Sequence, residues 1–168
     1  MLMHHTLPLI DEIAILAVTV ALVAAALTDA ATFLIPNRYP GAVALSFALY
    51  AVGKPAPVWL YGIAAAALML AAGALLFERG IFGGGDAKLL SATALWAGFD
   101  QLSLMLMVTA ISGGLLALAH LSPLGRLMPV RPGTVPAVDL RSRLQQPLPF
   151  GVAIAIGGVA VALARFAS

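Results

Sequence analysis

Residues 13–35 read IAILAVTVALVAAALTDAATFLI, an apolar stretch interrupted only by Thr19, Thr28, Asp29 and Thr32 and closed by Pro36-Asn37. A helix needs about 20 apolar residues to cross the hydrocarbon core of a bilayer. This segment alone therefore points to a membrane protein, and the rest of the chain agrees. Of 168 residues, 62% are hydrophobic and 10% are charged. Soluble domains run at about 45–50% and about 25%. The mean hydropathy is +1.03.

Five further apolar runs follow, at 41–53, 58–77, 87–99, 102–121 and 148–166. The runs at 41–53 and 87–99 are short, a length that suits re-entrant or buried segments as well as crossings. The distribution of Lys and Arg separates the two cases. With six crossings, one side holds Arg38, Arg79, Lys88, Arg126, Arg131, Arg141 and Arg143, and the other holds Lys54 and Arg165, seven against two. If the short runs turned back, the split would be six against three. Six crossings are favoured. The expected architecture is thus an all-α polytopic bundle of about six transmembrane helices, with both termini on the non-cytoplasmic side. It forms a single domain over residues 1–168, with a basic, Pro-rich cytoplasmic connection at about 122–147. The four arginines of that connection suit anionic lipid headgroups, so membrane lipids are expected partners.

Several classes of function drop out. The net charge of +2 is better read through loop topology than as a nucleic-acid footprint, because so apolar a chain leaves little surface for phosphates. Without cysteine there are no disulfides and no thiolate metal sites. His4 and His5 are adjacent, which is poor metal geometry, and no P-loop, zinc-ligand spacing or Ser/His nucleophile pattern occurs. No metal or cofactor is expected. Residues 1–10 lack Lys and Arg, and Asp11-Glu12 follow, unlike a secretory signal; the start reads as mature protein, with both acids at the outer start of the first helix.

An ionisable group near lipid costs about 2.5–3.5 kcal/mol on insertion scales, so each one needs a reason. Two stand out. Asp86 follows Gly83-Gly84-Gly85 at the entrance of the fourth helix, and Asp29 lies in the last turns of the first. The six-crossing topology carries both to the cytoplasmic face. Asp86 also reads simply as a helix cap favoured by the dipole. Asp29 sits at the negative end of its helix and so needs a partner, Arg38 being the nearest cation in sequence. The glycines read either as a flexible turn or as a place for close backbone approach. Lys88 either orients a carboxylate or snorkels to headgroups. If the two aspartates meet, they form a pair that shares a proton: one acts as base toward water while the other polarises a peptide carbonyl. Gly113-Gly114 and Gly157-Gly158 mark places where helices approach closely, a conceivable route for a substrate helix.

Three segments resemble the prepilin peptidases among the GxGD-type membrane aspartic proteases. They are Asp29 with Ile35-Pro36-Asn37, the run Gly83-Gly84-Gly85-Asp86-Ala87-Lys88 that fits G-x-G-D-x-K, and Leu148-Pro149-Phe150-Gly151-Val152-Ala153-Ile154-Ala155 followed by Gly157-Gly158. The resemblance covers residues 10–166. It implies an aspartic endopeptidase of the bacterial inner membrane that cleaves the short leader of prepilin or pseudopilin substrates at the cytoplasmic face. Asp29 and Asp86 would be the catalytic pair, with Gly83, Gly85, Lys88, Asn37, Pro149 and Gly151 shaping the site. The longer bacterial members carry an added cytoplasmic region, often with paired cysteines, and methylate the new amino terminus. This chain has no cysteine and is similar to the short peptidases of tight-adherence (Flp-type) pilus systems, so N-methyltransferase activity is not expected. The alternative is a non-catalytic polytopic subunit of a secretion or transport assembly, whose aspartates cap helices or pass protons.

Overall fold

The computed structural model describes residues 3–52, 54–122 and 148–167, with side chains from Leu9 onward. Among the described residues there are six α-helices and no strand: α1 (Met3–Thr32), α2 (Arg38–Ala51), α3 (Ala56–Glu78), α4 (Gly84–Ala97), α5 (Leu102–Leu121) and α6 (Phe150–Phe166). Over residues 123–147, the Pro- and Arg-rich connection lies outside the described residues.

This is an all-α membrane protein. Three helices, Leu9–Thr32, Ala56–Glu78 and Leu102–Leu121, are long and apolar enough to cross a bilayer. The packing is that of a chain dissolved in lipid. Small side chains face inward: Ala14, Ala25, Ala65, Ala94 and Ala97 are fully buried. Large apolar ones face outward, with Leu45 at 73% and Leu27 at 68% exposure. In lipid there is no hydrophobic drive to bury leucine, so close backbone approach through small residues holds the helices together.

Contacts along the chain set the helix directions. Lys54, just past α2, pairs with Asp11 near the start of α1 at 2.6 Å, so α2 runs back against α1. A Cβ on Gly62 would meet the Leu95 carbonyl, and one on Gly73 would meet Ala87; α3 and α4 are therefore antiparallel. Arg165 at the end of α6 donates to the carbonyls of Trp96 and Ala97 at the end of α4. Successive helices thus alternate in direction. The ends of α1, α3 and α5 gather with the starts of α2, α4 and α6.

Helices α2 and α4 have 14 residues each, or about 21 Å against a hydrocarbon core of about 30 Å. Both are continuous single helices rather than segments that dip and return. For α4 the shortness has a physical reason. Eight of its residues, from Ala87 to Ala97, are buried among α2, α3, α5 and α6, so protein rather than lipid surrounds it.

Three boundaries differ from the sequence reading. Helix α2 starts at Arg38 rather than at 41, because a proline in the first turn has no N–H to leave unsatisfied. Helix α4 starts at Gly84 rather than at 87, taking two glycines into its first turn. Asp11 and Glu12 stand inside α1, which begins at Met3.

The far end is closed by aromatics. Trp96 packs edge-on to Phe47 and tilted on Tyr50, and its Nε1 donates to the Val43 carbonyl at 3.0 Å. Trp96→Phe should lower the unfolding free energy by about 1–3 kcal/mol through the lost bond and the lost volume. Thermal unfolding in detergent measures this, and an unchanged midpoint would show that the α2–α4 contact carries no weight.

Candidate active site

The gathered helix ends form a site from three separate segments. Asp29 is in the last turn of α1 and is 4% exposed. Its Oδ2 accepts the backbone N–H of Gly151 at 2.8 Å. The first turn of α6 explains why. Pro149, at the N-cap, has no N–H and makes no side-chain cap. Phe150 N–H goes to the Leu148 carbonyl and Val152 N–H to the Pro149 carbonyl. The Gly151 donor is left over, and a carboxylate from another helix takes it. Anions are favoured at such a helix start. Asp29, badly placed on its own helix, is well placed on α6. Among the described residues it makes no ion pair; Arg38 instead donates to the Tyr39 hydroxyl.

Asp86 is the third residue of α4, with Gly83 at the N-cap. Its carboxylate turns back toward Gly83, as the third residue of a capping box does. A Cβ on Gly83 would come within 2.8 Å of Asp86 Oδ2. The other oxygen, Oδ1, is buried without a hydrogen-bond partner among the described residues. Two helix starts, each holding one carboxylate, lie against the same segment around Ile35.

Ile35 is the wedge between them. A Cβ on Gly85 would lie 2.9 Å from Ile35 Cβ and 3.2 Å from its carbonyl oxygen, and one on Gly151 would strike its Cδ1. Both glycines are needed for this close approach. The chain reaches the wedge through Phe33, which has φ 55° and donates its N–H to the Asp29 carbonyl. A left-handed non-glycine residue costs roughly 1–2 kcal/mol, and strain of this kind clusters at functional sites. Among the described residues Lys88 pairs with no carboxylate: its Nζ donates to Asn37 Oδ1 at 2.9 Å. That bond ties the 35–37 segment to the first turns of α4. Phe82 and Phe150, each just before a site glycine, pair at 5.2 Å between ring centres and wall the site on one side.

Two features escaped the sequence reading. The role of Ile35 as a wedge and the Lys88–Asn37 bond depend on pairing residues 50 or more positions apart, which no local pattern signals. The proposed glycine route is corrected. Gly113 is filled by the Phe150 ring, Gly157 by Thr109 and Gly158 by Leu22 and Thr93, leaving only Gly114 open. Gly113, Gly157 and Gly158 thus pack helices together, and Gly114 faces outward. Among the described residues no group of three His, Asp or Glu side chains gathers to hold a metal ion.

A family model described as the type IV leader peptidase family matches residues 16–118. The match spans more than half of the chain and takes in Asp29, Ile35-Pro36-Asn37 and residues 83–88. Comparisons with curated proteins and with solved structures return no match.

The close approach at Gly85 has a measurable consequence. Gly85→Ala must displace the Ile35 backbone and should cost about 1–3 kcal/mol. Gly84→Ala meets only the Phe77 ring, at an ordinary 3.5 Å, and should stay within about 0.5 kcal/mol of wild type. Thermal unfolding of the two variants side by side tests the wedge; equal midpoints would remove it.

Proposed function

The chain belongs to the type IV leader peptidase family, and we propose that it is a membrane-embedded aspartic endopeptidase removing the short leader from prepilin or pseudopilin precursors. Asp29 and Asp86 are its catalytic pair. The observation that carries this reading is the packing of two helix starts, each with one carboxylate, on Ile35, where Asp86 Oδ1 is buried and without a partner among the described residues. An acceptor in this position suits the O–H of a water, and the same oxygen, once protonated, can donate to a peptide carbonyl.

Chemically, one carboxylate takes a proton from water as the oxygen attacks the scissile carbonyl carbon. The other, protonated, donates to the carbonyl oxygen. As the tetrahedral intermediate collapses, the C–N bond breaks and the amine leaves with a proton returned by the pair. The titration belongs to both groups together. Gly83 and Gly151 let backbone lie against the carboxylates, Gly85 admits Ile35, Pro149 leaves the Gly151 donor to Asp29, and Lys88 with Asn37 holds the 35–37 segment in place.

On this reading the protein is one membrane domain crossing the bacterial inner membrane six times, with both termini outside and the aspartates at the cytoplasmic face. Arg38, Arg79 and Lys88 lie at the aspartate end, against Lys54 and Arg165 at the other, in keeping with positive-inside topology. The short tight-adherence type and the lack of methyl transfer belong to the same proposal.

Co-expression with a candidate prepilin is the test. Asp29→Asn and Asp86→Asn should each reduce leader removal by roughly 10²–10⁴-fold, the range of acid–base catalysis. Near wild-type cleavage by either inserted variant would refute the two-carboxylate mechanism and favour a non-catalytic subunit. A pair sharing one proton also requires a bell-shaped pH dependence of kcat/KM. A profile flat on either side would contradict that sharing.

A further inference from the structure

An open apolar groove of about 620 Å³ runs along the outer side of α1 to the start of α2. Ile13, Leu16, Ala17 and Val20 form its wall, and Arg38 and Tyr39 form its head. Ile13, Leu16 and Val20 are 57%, 64% and 60% exposed, so no described element covers this face. From Ile13 to Ala24 the helix rises about 16 Å, close to the depth of one leaflet of a hydrocarbon core about 30 Å thick.

The head of the groove is positive. The Arg38 guanidinium stacks on the Tyr39 ring at 4.9 Å and gives one Nη2 hydrogen to the Tyr39 hydroxyl at 3.1 Å. A guanidinium has five donors in a planar fork that fits phosphate. Among the described residues no carboxylate claims the remaining donors; the ion pair there is Lys54–Asp11, at the other end. Arg38 also opens α2, so the positive end of the helix dipole adds to its charge rather than balancing it.

We infer that this groove binds one anionic phospholipid, with the headgroup phosphate on Arg38 and an acyl chain along Ile13, Leu16 and Val20. The charge complementarity and the one-leaflet length both fit that occupant. The site adjoins the carboxylates without being part of them. The Tyr39 hydroxyl lies 2.8 Å from Thr28 Oγ1, next to Asp29, so a bound headgroup braces the rim of the aspartate site. The inference goes beyond proteolysis and holds whether or not the chain cleaves a peptide.

Native mass spectrometry of the full chain, delipidated and then titrated with dioleoyl phosphatidylglycerol or dioleoyl phosphatidylcholine, tests it. The wild type should retain one phosphatidylglycerol with a preference of roughly fivefold over phosphatidylcholine, the effect of one cation near an anionic headgroup. Arg38→Gln should bring the two lipids to parity. Ala17→Phe, at an exposed position on the groove wall, should lose the bound lipid while leaving the fold intact by circular dichroism. Equal retention of both lipids by the wild type, or a preference that survives Arg38→Gln, would overturn the inference. So would displacement of the lipid by millimolar inorganic phosphate, which assigns the head to free anions. Displacement by the apolar segment of a prepilin would overturn it too, assigning the groove to a substrate.

Discussion

One hydrogen bond organises this structure: the Gly151 N–H of α6 on the Asp29 carboxylate of α1. It joins two needs that the sequence separates by 122 positions. Helix α6 begins after Pro149 with a donor that its own first turn does not satisfy. Asp29 stands at the negative end of α1, where a carboxylate is disfavoured. Each supplies what the other lacks. The start of α4 lies against the same segment, since Gly85 and Gly151 both pack on Ile35.

The rest of the bundle keeps that meeting in place. Small residues let helices close on each other: Gly158 sits against Leu22 and Thr93, and Gly62 against Leu95 and Phe47. At the end opposite the site, Arg165 caps the carbonyls of Trp96 and Ala97, where a cation suits the negative end of α4. Helix α4 is therefore anchored at both ends, by a carboxylate folded back on Gly83 and by a guanidinium on its last carbonyls. A short, buried, doubly capped helix holds Asp86 more firmly than a lipid-facing one would.

The elements were largely legible in the residues because membrane crossings announce themselves by length and hydropathy. The span at 102–121 could be read directly. Boundaries at Arg38 and Gly84 could not, since Pro40 and the glycines are usual breakers that a first helical turn accepts. At the site, the residue types of Asp29, Asp86 and Gly151 could be picked out. Their linkage could not: Arg38 is the cation nearest to Asp29 in sequence, whereas a backbone N–H from the last helix is its partner. Lys88 shows the same limit, since its partner is Asn37, a neutral side chain 51 positions away.

The central claim is the convergence of positions 29 and 86. Because the chain has no cysteine, a paired substitution reads that convergence cleanly. Asp29→Cys with Asp86→Cys, treated with a short bis-thiosulfonate in native membranes, should yield one intramolecular bridge by intact mass. The control pair, Asp29→Cys with Asp100→Cys beyond the far end of α4, should yield none. If both thiols of the first pair react singly with a monofunctional reagent yet never bridge, the two carboxylates do not share a site.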